Sequence, residues 1–394
     1  MGETPRVPRT APVRESRRGP APFLTVVRAF RTAPVAGLAA ALALASCAGV
    51  RDRIHARPGP ASTTFDQAEM VDVLAPDVIR AVDDPAFSTA AVAAEWLGED
   101  QPVVVLTSGG ESRAYPLLIL TWHEIVNDTV AQTPVAVTYD PLSNAAVAFD
   151  RRVAGRTETF GVSGKLYRSG LVMFDRRTHS LWPQLPGRAV RGPLEGTRLE
   201  ALPTQIASFG AFRAAYPDGR ILSRETGLVR AYGFNPYEGY DSRSAPFSFF
   251  APRPDPRQPV MERVVGVFAG GEDRAFPYAT LRADGGVVAD RLGGRDIVVL
   301  WRAGTRSPVD APLMRDGREV GSTGVFVPVL DGRRLTLEAT PEGFRDRETG
   351  STWSMLGVAV AGPLAGRALT PVLHLDVFWF AWAAFAPATT IFRG

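Results

Sequence analysis

Two short segments of the chain contain residue types that acid–base chemistry and metal binding use. The first covers residues 122–128 (WHEIVND) and the second residues 139–143 (YDPLS). Imidazole exchanges protons near neutral pH, and carboxylates act as acids, as bases or as ligands of hard metal ions. The candidate catalytic residues are therefore His123, Glu124 and Asp140, and the candidate ligand-binding residues are Asn127, Asp128, Tyr139 and Ser143.

The spacing of these residues permits three interpretations. If residues 116–128 form one helix that begins at Pro116, His123 shares a face with Asn127, and Glu124 with Asp128. A hard metal ion would then have His123, Asp140 and Asp128 as ligands. His123 and Asp140 also form a candidate acid–base pair, although the sequence identifies no nucleophile or activated water. In the third interpretation, Asn127 and Asp128 cap the helix, and His123 forms a hydrogen bond inside the domain.

The same segments take part in a resemblance to a known family. From about residue 81 to 240 the chain resembles the family labelled domain of unknown function 3179, often titled (seleno)protein. The resemblance rests on the segments at residues 113–116, 123–128, 138–142, 160–164 and 175–182. In typical members, Cys-Pro-Leu-Cys follows the tyrosine and implies a redox-type site. Asp140 and Ser143 replace those cysteines and cannot form a disulfide, so we expect no thiol chemistry.

Five segments of the first half recur in the same order in the second half. Residues 104–116, 125–128, 134–139, 175–182 and 192–196 match residues 265–277, 287–290, 296–301, 346–353 and 362–366. Each copy has the pattern of a Gly-Gly hairpin, a helix and further short strands. We therefore predict a β-rich α+β fold of two internally duplicated halves packed with pseudo-twofold symmetry. The site is expected in the first half, because the second half has no histidine or glutamate at the helix positions that match His123 and Glu124.

The repeat also sets the expected boundaries. The first half should cover residues 65–234 and the second, degenerate half residues 260–394, joined by a Pro-rich connector at 235–259. Apolar spacing at 71–82 and 90–96 predicts helices. The apolar run at 378–385 is short for a membrane span and matches the amphipathic segment 208–216 of the first half, which indicates a buried core helix.

The N-terminal residues have the pattern of an export signal. A basic stretch precedes an apolar run at 35–43, and residues 44–47 (LASC) resemble the bacterial lipobox. We predict a lipoprotein signal peptide at 1–46, lipidation of Cys47 and a flexible tether at 47–64. The protein would be held at the extracytoplasmic face of the cell membrane by the acylated Cys47 in the bilayer. The sequence leaves Sec and twin-arginine export as alternatives.

Composition narrows the function classes. The net charge is only +3 with scattered arginines, which is atypical of nucleic-acid binding, and a single cysteine excludes an internal disulfide. We expect a membrane-anchored module without a cofactor that binds an envelope protein or a small ligand. The alternative is a metal-binding or acid–base enzyme that uses His123 and Asp140.

Overall fold

The computed structural model describes residues 65–247 and 253–394. The predicted signal peptide, Cys47 and the tether lie outside the described residues, as does part of the connector. Many short strands and a few short helices make up the described residues, which confirms the prediction of a β-rich α+β fold. These residues all belong to the same compact unit.

The first half consists of short strands interrupted by helices of one or two turns. Its strands are β1 (Met70–Asp72), β2 (Val82–Asp83), β3 (Phe87–Thr89), β4 (Pro102–Ser108), β5 (Glu111–Pro116), β6 (Ile125–Val130), β7 (Thr133–Asp140), β8 (Ala145–Asp150), β9 (Arg152–Val153), β10 (Arg156–Thr157), β11 (Phe160–Tyr167), β12 (Gly170–Asp175), β13 (Leu181–Pro183), β14 (Glu200–Leu202), β15 (Thr204–Ser208) and β16 (Arg220–Leu222). The helices are α1 (Ala90–Ala93), α2 (Leu117–His123) and α3 (Phe209–Ala215), and Gln67–Glu69 form a 3₁₀ helix.

The second half has a similar order of elements. The connector contains the 3₁₀ helix Tyr240–Ser242, and a further 3₁₀ helix spans Met314–Asp316. The strands are β17 (Arg263–Ala269), β18 (Glu272–Pro277), β19 (Val287–Leu292), β20 (Arg295–Arg302), β21 (Ser322–Val327), β22 (Val329–Leu330), β23 (Arg333–Arg334), β24 (Leu337–Thr340), β25 (Gly343–Asp346), β26 (Thr352–Trp353), β27 (Ala359–Ala361), β28 (Thr370–Pro371), β29 (His374–Phe378) and β30 (Thr390–Ile391). The helices are α4 (Tyr278–Ala283) and α5 (Trp379–Phe385).

The strands pair mainly with their sequence neighbours. In the first half the sheet orders are β15-β4-β5-β16-β3, β14-β8-β7-β6-β2 and β1-β11-β12-β13. In the second half they are β29-β17-β18-β30, β19-β20-β21-β28 and β24-β25-β26-β27. The predicted Gly-Gly hairpin is confirmed in both, because β4 pairs with β5 and β17 with β18 around glycine pairs of positive φ.

The predicted helix over residues 116–128 is wrong at its C-terminal end. Helix α2 stops at His123, because Glu124 adopts a left-handed conformation with a φ of 57°. The next residues form β6, which pairs with β7 along its whole length. Ile125 and Val126 are β-branched and favour a strand. The faces inferred from helical spacing therefore do not exist, and Asn127 and Asp128 are strand residues instead of helix caps.

The two helices predicted before the first hairpin are also corrected. Residues 71–82 contain β1, an irregular segment and β2, and the backbone N–H groups of Val73 and Leu74 donate to Gly164 O of β11. Pro76 disfavours a helix there, because proline lacks an N–H and restricts the residue before it. The helix predicted at residues 90–96 is present only as α1, which ends at Ala93 and continues as a turn.

The apolar tail forms the buried helix that the sequence predicts. Trp379 and Trp382 of α5 are fully buried. Trp382 packs on Gly266 of β17, where an added Cβ would lie 2.1 Å from the indole. Throughout the described residues, every helix is too short or too polar to cross a bilayer.

Candidate functional site

Asp140 ends β7 and lies in the interior. One carboxylate oxygen accepts a hydrogen bond from the Leu142 backbone N–H at 3.0 Å. The other accepts from the Ser143 hydroxyl at 2.5 Å and from the Leu171 N–H at 3.2 Å. Burial raises the pKa of Asp140 to about 6, and these hydrogen bonds limit the rise. Asp140 is therefore an interior carboxylate that the 140–143 turn holds in place.

Glu124 lies beside Asp140 because of the left-handed turn after α2. Its backbone carbonyl accepts a hydrogen bond from the Tyr139 N–H at 2.8 Å, which joins the turn to the end of β7. The residue is only 7% exposed. Within the described residues, its carboxyl group has no hydrogen-bond or ion-pair partner. Burial and the charge of Asp140 raise the pKa of Glu124 to about 8, so at neutral pH this carboxyl is mostly protonated.

Two tyrosines of the connector lie close to this carboxyl pair. Burial raises the pKa of Tyr237, and the charges of Glu124 and Asp140 raise it further. Burial and Asp140 have the same effect on the pKa of Tyr240. The Tyr240 hydroxyl is buried and has no hydrogen-bond partner among the described residues. Neither tyrosine could be identified from the sequence, because a Pro-rich segment shows no periodicity that assigns its side chains to a core.

Residues of the second half contact the turn that holds Asp140. The Phe378 N–H donates to the Ser143 carbonyl at 2.9 Å, and the Phe378 ring lies 6.1 Å from that of Tyr240. Nearby, Arg263 is paired with the buried Asp241 at 2.9 Å, and the Ser307 hydroxyl donates to the same carboxylate. The charge of Arg263 is therefore already balanced by Asp241.

His123 is placed in a separate, saturated environment. Nδ1 lies 2.6 Å from the Arg80 carbonyl, and Nε2 lies 2.6 Å from the Tyr232 hydroxyl. A carbonyl can only accept, so Nδ1 carries the proton and Nε2 accepts from the phenol. Burial lowers the pKa of His123, which keeps the ring neutral. Both nitrogens are engaged, as in the interpretation in which His123 forms a hydrogen bond inside the domain.

Asp128 and Asn127 connect strands. The two oxygens of Asp128 accept from Arg113 Nη1 at 2.6 and 2.7 Å, and one also accepts from the Tyr115 hydroxyl at 2.6 Å. Asn127 forms hydrogen bonds with both backbone groups of Phe160, at 2.8 and 3.0 Å. These contacts occupy the two side chains within the sheets.

The remaining predicted residues are Ser143, which forms a hydrogen bond with Asp140, and Tyr139, which does not. Ser143 supports Asp140, and the buried Tyr139 hydroxyl donates to Asn144 Oδ1 at 3.3 Å. In residues 65–247 and 253–394, no group of three or more His, Cys, Asp or Glu side chains is placed to hold a metal ion. The set His123, Asp128 and Asp140 is therefore not assembled, whereas Glu124 and Asp140 are brought together.

The corresponding place in the second half lacks both carboxyls. Gly286 follows α4 with a φ of 83°, and its carbonyl accepts from the Trp301 N–H at 2.8 Å. Strand β20 ends in Arg302, whose guanidinium donates to the carbonyls of Thr340 at 3.0 Å and Gly343 at 3.3 Å. A glycine and an arginine that binds backbone carbonyls thus stand where the first half has Glu124 and Asp140.

Comparisons with known proteins identify the family. The model of the family described as "Protein of unknown function (DUF3179)" matches residues 76–389, well over half of the chain. The chain belongs to this family, which confirms the resemblance found in the sequence. Neither the curated proteins nor the solved structures include a match.

Proposed function

We propose that this DUF3179 protein is a membrane-anchored extracytoplasmic lipoprotein that binds a small ligand at the carboxyl pair Glu124 and Asp140, without thiol chemistry. The observation that carries the proposal is the Glu124 carboxyl, which is buried and has no partner in the described residues. Asp140 and Ser143 stand where typical members have cysteines, and Cys47 is the only cysteine of the chain.

The backbone of Glu124 supports a functional role. A left-handed conformation of a non-glycine residue costs roughly 1–2 kcal/mol. Burial of a carboxyl without hydrogen bonds adds a further penalty, whether the group is ionised or keeps its proton. In the second half the matching turn has Gly286. Glycine avoids both the backbone strain and the cost of burying a carboxyl. Strain and a raised pKa at one residue are typical of binding and catalytic sites.

Duplication of an ancestral half is the second part of the proposal. It is supported by the five matching segments, by the similar strand orders of the sheets in the two halves and by the matching turns at Glu124 and Gly286. In this view the halves pack about a pseudo-twofold axis. The first half kept a site, and the second supplies packing and the Phe378 contact to Ser143.

Location and partners are proposed from the N-terminal sequence. The lipobox-like segment at 44–47 supports acylation of Cys47 and anchoring in the bilayer. A domain tethered there would meet small ligands or proteins of the cell envelope. The low net charge and the scattered arginines are the grounds for proposing no nucleic-acid partner.

A specific observation favours a second candidate, an acid–base enzyme. Neighbouring carboxyls with pKa values of about 8 and about 6 supply one protonated and one ionised group near neutral pH. That separation is the pattern by which enzymes assign an acid and a base. In this candidate Glu124 would act as the acid and Asp140 as the base, while His123 would serve the fold.

Ligand-dependent unfolding tests the proposal. The full chain in detergent, Glu124→Gln, Asp140→Asn and the exposed control Glu95→Gln would be melted against a panel of neutral, anionic and cationic small molecules. A site ligand is expected to raise the Tm of the wild type and of the control, with both site variants unresponsive. If every stabilising compound acts equally on all four proteins, the proposed site is wrong. Conversion of the bound ligand by wild type only would favour the enzyme.

A further inference from the structure

Residues 73–78 (VLAPDV) form an irregular segment between β1 and β2 with outward-facing apolar side chains, here called the apolar loop. Val73, Leu74 and Val78 are 47%, 44% and 54% exposed, and the alanine and proline between them are exposed as well. Eight large hydrophobic side chains are exposed in the described residues, and three of them lie within these six positions. Single exposed apolar side chains are normal, whereas a contiguous group is typical of an interaction surface.

The apolar loop is fixed to β11 by its backbone. The N–H groups of Val73 and Leu74 both donate to the Gly164 carbonyl at 2.9 Å, and the Asp77 N–H donates to the Val162 carbonyl at 2.9 Å. The contact at Gly164 is so close that an added Cβ would lie 2.1 Å from the Leu74 carbonyl oxygen. Because backbone groups make these contacts, the attachment to β11 does not require apolar side chains. The outward-facing valines and leucine therefore indicate contact with something outside the domain.

The chain that leads from the predicted lipid anchor enters the domain beside the apolar loop. Phe65 packs on Tyr167 of β11 with the ring centroids 5.2 Å apart, and β1 pairs with the same strand. The 18 residues from Cys47 to Phe65 span at most about 60 Å, and the eight residues from Phe65 to Val73 at most about 30 Å. A bilayer that holds Cys47 is therefore within reach of the loop.

Resting on the lipid anchor of the proposed function, we propose that the apolar loop docks on the bilayer that holds Cys47, with Val73, Leu74 and Val78 in the headgroup region. The anchor makes this second contact intramolecular, so the loop needs little affinity of its own. Burial of the exposed half of one valine or leucine side chain favours the docked state by about fivefold, and three such side chains by about a hundredfold. Docking would set the orientation of the domain on the membrane, which a single point of attachment leaves free.

The charges beside the apolar loop are compatible with a bilayer surface. Asp72 forms an ion pair with Lys165, and the Asp77 carboxylate lies 3.8 Å from Arg176. Arg80 is exposed, and its side chain forms no ion pair within the part of the chain that the structure describes. Anionic headgroups attract arginine and lysine side chains, so Arg80 is available to a lipid phosphate.

The test places the full acylated chain in vesicles of phosphatidylcholine and phosphatidylglycerol in equal parts. Acylation leaves no free thiol at Cys47, so Leu74→Cys and Val78→Cys can each carry one environment-sensitive fluorophore. Val229→Cys is the matched control, because the native valine is 96% exposed. Interfacial side chains lie about 5–10 Å into the headgroup boundary, so the loop labels should emit at shorter wavelength and be quenched by iodide at least about fivefold less than the control. Adding Leu74→Asp should remove the protection at Val78→Cys, because a charge must then be desolvated.

Each other outcome contradicts a defined part of the inference. Loop labels as accessible to iodide as the control, on chains that stay with the vesicles, would overturn the docking and leave the anchor intact. Protection in native membranes but not in lipid vesicles would also overturn it, because the partner would then be a protein. So would a Val78→Cys label that Leu74→Asp leaves protected. A chain that leaves the vesicles with Cys47 unmodified would overturn the docking together with the anchor of the proposed function.

Discussion

Glu124 and Gly286 share a backbone conformation and a hydrogen-bond pattern. Both follow a short helix with a positive φ, and both carbonyls accept a hydrogen bond at 2.8 Å from an aromatic residue near the end of the second strand of the next hairpin, Tyr139 or Trp301. Glycine adopts this conformation without strain, whereas glutamate does not. The two turns therefore differ in their side chains: Glu124 adds a carboxyl group and backbone strain that Gly286 lacks.

The first prediction concerns this pair of turns. Glu124→Gly should raise the free energy of unfolding at pH 7 by about 1 kcal/mol, because it removes strain and a buried carboxyl. Gly286→Ala should lower it by at least about 1 kcal/mol, since its Cβ would lie 2.4 Å from the Trp301 carbonyl. Urea unfolding followed by tryptophan fluorescence measures both. A loss of stability in Glu124→Gly would show that the side chain holds the fold together.

The second prediction is the pH dependence of stability. The pKa of Glu124 is raised to about 8 in the folded state, so between about pH 6 and 8 the folded chain holds a proton that the unfolded chain has released. The stabilisation from this proton is complete below the unfolded pKa and is lost as the pH rises through about 8. The slope contributed is about 1.4 kcal/mol per pH unit. Glu124→Gln should remove this slope, and Glu95→Gln should retain it; identical slopes in all three proteins would refute the assignment.

The third prediction uses a turn that occurs in both halves. Asp175 accepts hydrogen bonds from Thr178 and from the Trp182 indole at 3.0 Å, and Asp346 does the same with Thr349 and Trp353 at 2.8 Å. Burial raises both pKa values, but these hydrogen bonds outweigh it and leave the pKa below normal. Asp175→Asn and Asp346→Asn should each lower stability at neutral pH by about 1–3 kcal/mol.

The sign of this effect at low pH follows from the lowered pKa. The stabilisation is present above the unfolded pKa of roughly 3.9 and is lost as the pH falls through the folded pKa. Each variant should therefore approach the wild type in stability at acid pH. Strongly unequal effects of the two substitutions at pH 7 would argue against equivalent roles in the two halves.

The fourth prediction is that His123 stabilises the fold and takes no part in ligand binding or catalysis. His123→Ala should lower the free energy of unfolding by about 2–4 kcal/mol, because it leaves the Arg80 carbonyl and the Tyr232 hydroxyl without their buried partner. Tyr232→Phe removes one of these bonds together with the 2.6 Å hydrogen bond to the Thr226 hydroxyl, and should lower it by about 1–2 kcal/mol. Elemental analysis of the same proteins measures their metal content. Stoichiometric metal that disappears in His123→Ala would contradict a purely structural role and would indicate a metal site.

The fifth prediction concerns the anchor. Cys47→Ser should move the protein from the membrane fraction to the soluble fraction, because the acyl chains on the cysteine supply the membrane affinity. Mass spectrometry of the native N-terminal peptide should find the cysteine acylated. An unmodified Cys47 in membrane-bound protein would contradict the lipoprotein assignment.

Local patterns in the sequence predicted part of the architecture correctly. The glycine pairs identified both hairpins, because only a tight turn with positive φ needs two glycines there. The buried helix predicted at 378–385 is confirmed as α5. The helix predicted at 116–128 is too long, because the left-handed residue that ends it is a glutamate and gives no local stop signal.

The sequence by itself determined the absence of a thiol pair, the β-rich class and the first-half location of the candidate residues. Which of those residues meet was decided by the tertiary structure. His123 and Asp128 are turned into separate hydrogen-bond networks. The turn at Glu124 is instead joined by a hydrogen bond to the end of the strand that carries Asp140, and the connector approaches this place through the contact of Tyr240 with Phe378. Such convergence depends on long-range packing and on one left-handed φ, and neither has a signature in local periodicity.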